Sequence, residues 1–257
     1  QRNQMQIWIK RIGILYLIWM LIFSYFWTYM NGFNPLKVLA TFFFGFNHLW
    51  YIAALFLGGT VLYLLRNLSN TSLLISAFTL FTIGTIIQYL GAFHVFESIP
   101  MLDKLMNYSP IYRNFLCFAF PFLSIGYVIH KTNFHTKIKP STVLLLLVLS
   151  IILLFADIFT SYTFLKGAVF PNMFFSFLTL GPILLLTAFT FTVTSKINSK
   201  LLSDYSIAMY LIHPMIIVLI TSFVEIKSTP LTFLTVIASA IASYVLIRIN
   251  SKLKYIL

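Results

Sequence analysis

Apolar residues in this chain come in long unbroken runs separated by short polar gaps. Neither strict alternation nor a one-sided helical stripe sets their rhythm. Eight runs come close to the roughly 20 residues that a helix needs to cross a bilayer. They lie at 12–30, 48–65, 73–93, 112–130, 142–160, 172–194, 204–224 and 229–249. Their length and continuity predict helices rather than the alternating strands of a barrel. The pattern predicts an all-α polytopic membrane protein of about eight spans, forming one membrane domain over 1–257, with no linker and no internal repeat. Gly58-Gly59, Pro121, Pro182 and Pro214 fall inside runs, where they can kink a helix or be ordinary membrane-helix composition.

Composition turns that pattern into a statement about solvent. Hydrophobic residues make up 60 % of the chain and charged ones 9 %, against about 25 % charged in soluble domains. Lipid is therefore the solvent. The formal charge of +12 does not point to nucleic acid, because the basic residues sit in the gaps between runs. Assigning gaps alternately puts twelve lysines and arginines on one side and five on the other. That bias predicts cytoplasmic termini, which agrees with an even span count. The single cysteine, Cys117, excludes a disulfide framework and a cysteine-based metal site. The chain opens on Gln1 with no signal-peptide pattern, so it is expected to be a piece of a longer protein.

Ionisable groups in a span are costly, and each is a functional candidate. They are His48, Arg113, Asp157 and His213. His48-Leu49-Trp50-Tyr51 reads either as an interfacial aromatic anchor or as a pocket wall. Arg113 either snorkels to the surface or works within the bundle. Asp157 lies within a turn of a span's end, so solvation competes with any role. His213 is placed roughly 13 Å inside its helix. Pro214 leaves the carbonyl one turn back without its usual donor, so His213 and Pro214 suit a structural role as readily as a catalytic one. Lys10-Arg11 and the His130–Lys139 loop could hold a phosphate-rich ligand, although the positive-inside rule explains them without one. The scattered histidines point to no metal site, and the common soluble-enzyme motifs are absent.

Four segments together resemble the acyltransferase 3 family of bacterial membrane proteins, which O-acylate cell-surface glycans. Ile9-Lys10-Arg11-Ile12 with Tyr16 and Trp19 is similar to the basic approach to that family's third helix. His48-Leu49-Trp50-Tyr51-Ile52-Ala53-Ala54-Leu55 resembles its HLWFLxAL segment. Arg113-Asn114-Phe115 through Pro121-Phe122 to Gly126-Tyr127 is similar to its R…PFFxxGY helix. Ser206 through Tyr210-Leu211-Ile212-His213-Pro214 resembles its S…YLxHP helix. The resemblance implies that the chain corresponds to helices three to ten. The first helix, with its arginine and the histidine expected to act as base, would lie upstream. Trp8-Ile9-Lys10-Arg11 keeps only the second arginine of the family's RxxR motif.

The implied reaction moves an acyl group, acetyl by expectation, from acyl-CoA to a hydroxyl of an extracytoplasmic cell-surface glycan. The implied setting is the bacterial inner membrane. Such chemistry needs a base, groups that stabilise the developing oxyanion, and a basic mouth for the CoA phosphates. The resemblance assigns Arg113, His48 and His213 to catalysis, Lys10 and Arg11 to acyl-CoA, and Trp50, Tyr112 and Asn114 to substrate, with His48 and Arg113 facing one outer pocket. A transporter or exporter of a glycan or amino acid stands as the alternative, since kinked helices with a polar midplane residue suit it. An inactive fragment that needs the missing helices is a third.

Overall fold

The computed structural model describes residues 2–165, 171–191, 198–253 and 255–257. Lys166, Lys196 and Lys254, and the last three residues of the predicted span 172–194, lie outside them. Among the described residues the structure is helical, without strands. In chain order the helices are α1 (Arg2–Ile22), α2 (Ser24–Met30), α3 (Pro35–Phe44), α4 (Trp50–Leu65), α5 (Asn70–Ala92) and α6 (Pro100–Met106). They continue as α7 (Ser109–Tyr112), α8 (Phe120–Lys131), α9 (Pro140–Phe164), α10 (Phe177–Thr190), α11 (Ser199–Phe223) and α12 (Ser228–Leu253). Six stretches, Asn3–Ile22, Asn47–Leu65, Asn70–Ala92, Pro140–Phe164, Ser199–Phe223 and Ser228–Leu253, are long and apolar enough to cross a membrane. The fourth and sixth predicted spans appear as shorter apolar helices, Phe115–Lys131 and Phe177–Thr190.

Side chains take the place of backbone partners where those two spans are shortened. Asn114 is extended, and its Oδ1 accepts from the N–H groups of Leu116 and Cys117 at 2.8 and 3.0 Å, starting the π turn Phe115–Ala119 that leads into α8. Ahead of α10, Gln88 takes the N–H groups of Asn172 and Met173, and Asp157 takes that of Ser176. Those amides cannot also serve a helix. The run 12–30 is divided for the same reason. The Trp27 indole donates to the Met20 carbonyl at 2.9 Å, an acceptor that a continuous helix would use four residues later, and the helix breaks at Phe23.

The chain forms two compact units, Gln1–Ala53 with Thr194–Leu257, and Ala54–Val193. The first unit packs α1, α2, α3, α11 and α12 around buried Trp19, Met20, Phe23, Leu49 and Leu211. Asn34 caps α3 by accepting from Leu36 and Lys37, with Pro35 in the first turn. Gly45 ends it at φ +88, where an added Cβ would lie 2.5 Å from the Trp50 backbone, so only glycine allows this tight turn. A 3₁₀ turn, Asn47–Leu49, then carries the chain into α4.

In the second unit α5 buries Leu73, Ala77, Phe81, Gly84, Gln88 and Gly91, a stripe at spacings of four or three that follows one helix face. At Gly84 the chain crosses so closely that a Cβ would meet that of Cys117 at 2.6 Å and the Tyr112 carbonyl oxygen at 3.0 Å.

Candidate functional site

The site in the first unit grows out of the proline in α11. Pro214 has no N–H, so the Tyr210 carbonyl loses its helical donor. The His213 side chain fills the gap, its Nδ1 donating to Tyr210 at 2.8 Å and to Met209 at 3.2 Å. One residue on, the Leu211 carbonyl accepts from His48 Nε2 at 3.2 Å. Tyr210 returns the link by donating its hydroxyl to the His48 carbonyl. The 3₁₀ turn and α11 are thus laced together through both imidazoles. The His48 ring lies 5.4 Å from those of His213 and Tyr210 and 5.2 Å from Phe23, all edge-on.

These bonds fix the protonation pattern. A carbonyl only accepts, so His48 Nε2 and His213 Nδ1 carry the hydrogens and in the neutral rings the opposite nitrogens are bare. His48 Nδ1 is buried without a partner, and no hydrogen bond reaches His213 Nε2 among the described residues. Leaving a buried acceptor unpaired costs about 1–3 kcal/mol, and such groups in a membrane interior mark sites of function. His213 lines a cleft, and its bare Nε2 can accept a proton from an acidic or hydroxylic ligand, whereas His48 Nδ1 is enclosed by its neighbours. α11 begins at Ser199 rather than near 204 and ends at Phe223. His213 is therefore ten residues from its end, about 15 Å at helical rise.

The other candidates divide between the units. Trp50 opens α4 in the first unit, half-buried and 5.9 Å from Tyr51. Lys10 and Arg11 lie on α1 and are exposed. Arg11 Nη2 donates to the Leu257 carbonyl oxygen at 3.2 Å, and Trp19 Nε1 to that of Ile256 at 2.9 Å. Lys10 and Arg11 present their cationic charge near the middle of α1.

In the second unit Arg113 Nη1 donates to Asn172 Oδ1 at 3.0 Å. Gln88, on α5, holds that segment in place, accepting from Asn172 and Met173 at 2.7 and 3.0 Å and donating to the Met173 carbonyl at 2.8 Å. Tyr112 is buried, with its hydroxyl 3.5 Å from Asn172 Nδ2. Asn114 also donates to the Pro110 and Ile111 carbonyls, so every polar atom of its side chain serves the break before the π turn. Asp157 Oδ2 accepts from Ser176 N–H at 2.8 Å.

The structure brings His48 and His213 together, and it links Arg113 and Tyr112 through Asn172. Tyr210, Phe23, Gln88 and Asn172 were not singled out as site residues from the sequence. Tyr210 had a signal, since it lies three residues before His213 and so shares its helix face. Gln88 had one too, as an amide inside an apolar run. No group of three or more metal-ligating side chains comes together among the described residues.

A comparison with family profiles matches residues 9–248 to the acyltransferase 3 family, described as an acyltransferase domain. No curated protein and no solved structure matches the chain.

Proposed function

The chain belongs to the acyltransferase 3 family, and from that premise we propose that it moves an acyl group from acyl-CoA to a hydroxyl of an extracytoplasmic cell-surface glycan, in the bacterial inner membrane with both termini cytoplasmic. It is a multi-pass membrane acyltransferase; the donor, the acceptor and the compartment are the proposed part. The observation that carries the reading is the His48–His213 pair, each ring tied by one nitrogen to an α11 carbonyl and left with the other bare.

In this reading His213 takes the part of base that the resemblance gives to an upstream histidine, and the acceptor hydroxyl hydrogen-bonds to His213 Nε2. Its oxygen attacks the thioester carbonyl carbon as the proton passes to the imidazole, so the C–O bond forms and the C–S bond breaks. The imidazolium then returns the proton to the CoA thiolate, leaving an ester and free CoA-SH. His48 braces the α11 backbone beside the reacting ring. Lys10 and Arg11 attract the CoA phosphates, and Trp50 meets the sugar; Arg113, Tyr112 and Asn114, to which the resemblance gives oxyanion and substrate roles, belong to the second unit. Acetyl is the acyl group that the family resemblance suggests.

The test is His213→Asn. Asparagine keeps a donor near the Nδ1 position for the Tyr210 carbonyl and has nothing at Nε2. The full chain in lipid nanodiscs, given acyl-CoA and glycan, should release CoA about 10²–10⁴-fold more slowly while melting at the wild-type temperature. Unchanged CoA release would remove His213 from the proton path.

A further inference from the structure

Between α11 and α12 lies a cleft of about 490 Å³, lined on one side by Met209, Tyr210, His213 and Ile217 and on the other mainly by Leu231, Thr235, Val236 and Ser239. Residues 224–227 join the two helices, so they run as antiparallel neighbours. Ile217, Ser228 and Leu231 then mark the end of the cleft nearest the connection, and Tyr210 and Ser239 the far end. The walls are mainly apolar, with Ser228 and Thr232 near the connection and His213, Thr235 and Ser239 deeper in.

Two hydroxyls deeper in the cleft lack the bond that many helical threonines here make, as do the buried hydroxyls of Ser124, Ser176, Thr190 and Ser243 elsewhere. Thr60, Thr85, Thr187, Thr221 and Thr232 each donate to the carbonyl four residues earlier in their own helix. Thr235 and Ser239 do not. They are 7 % and 1 % exposed, and their hydroxyl oxygens are buried without a partner. Unpaired hydroxyls are expensive in a lipid-surrounded interior, so two beside one cavity and His213 point to a ligand that accepts hydrogen bonds.

We propose that this cleft holds the acyl chain of the donor, several carbons longer than acetyl, with Thr235 and Ser239 donating to its carbonyl oxygen. The inference rests on the acyl-transfer reading of the same site. An acetyl group would leave most of the cleft empty, whereas cavities of roughly 300–1,000 Å³ suit far larger ligands. A chain running toward Ile217 and Leu231 covers apolar wall with apolar surface. It also leaves the carbonyl at the level of His213, where the acceptor hydroxyl attacks. Each methylene transferred from water tightens binding about fourfold until the cleft is full.

The experiment measures transfer by the full chain in nanodiscs with acetyl-, butyryl-, hexanoyl- and octanoyl-CoA, for wild type and Ile217→Phe. The expected result is a KM that falls with chain length, and a variant whose optimum moves to shorter chains. A hexanoyl-CoA carrying a terminal diazirine supplies a readout independent of turnover. It should label residues within 209–239, and unlabelled hexanoyl-CoA should displace it. Labelling in the cleft without transfer at any chain length would refute acyl transfer and keep the binding site. Transfer that prefers acetyl in both proteins, with the label elsewhere, would overturn the cleft and leave the reaction standing. A phospholipid that hexanoyl-CoA fails to displace from the cleft, seen by native mass spectrometry, would also overturn it.

Discussion

Replacing Gln88 with methionine keeps the size of a buried side chain and removes all of its hydrogen bonds. Gln88 is 4 % exposed on α5, and its amide makes three bonds to residues 172 and 173, at 2.7, 3.0 and 2.8 Å. At about 1 kcal/mol net for each bond, the loss is about 3 kcal/mol. Stranding the Met173 amide and carbonyl, on a residue with 0 % exposure, raises it toward about 5 kcal/mol. Unfolding in detergent, followed by intrinsic fluorescence, gives the global number, and amide exchange at 172 and 173 gives the local one. The Arg113–Asn172 bond hangs from this segment, so Gln88→Met should also weaken any step that uses Arg113. A variant within 1 kcal/mol of wild type, with both amides still protected, would refute the account of how the segment before α10 is held.

Gly84→Ala should destabilise by about 1–3 kcal/mol through overpacking, since its Cβ would lie 2.6 Å from that of Cys117; the detergent melting curve checks it. Pro214→Ala should raise the melting temperature, because a restored N–H can reach the Tyr210 carbonyl, and lower the transfer rate, because His213 loses sole use of that acceptor. Lys10→Ala should raise KM for acyl-CoA about tenfold with kcat nearly unchanged, the value of one charged hydrogen bond, and the difference should shrink in high salt.

The helices were legible because membrane crossing demands long apolar runs, and α5, α9, α11 and α12 lie close to the predicted segments. The Pro214 argument also carried through to atoms: the freed carbonyl is the one that His213 takes. What the pattern could not show were bonds made across the sequence. Gln88 reaches residues 172 and 173 more than 80 positions away, and no local periodicity announces that those residues leave the helix. The break at Phe23 depends on an indole reaching back seven residues, and α3 formed between two predicted spans, in an apolar stretch too short to be counted as one. His48 and His213 were each visible, but their pairing depends on the turn that follows α3.

The most direct test of acyl transfer is mass analysis of the surface glycan from cells with and without the full gene. Acyl transfer predicts glycan carrying the mass of an acyl ester only when the gene is present, with the ester removed by mild alkali. Identical glycan masses, with the amount of exported glycan changed, would contradict it and indicate transport.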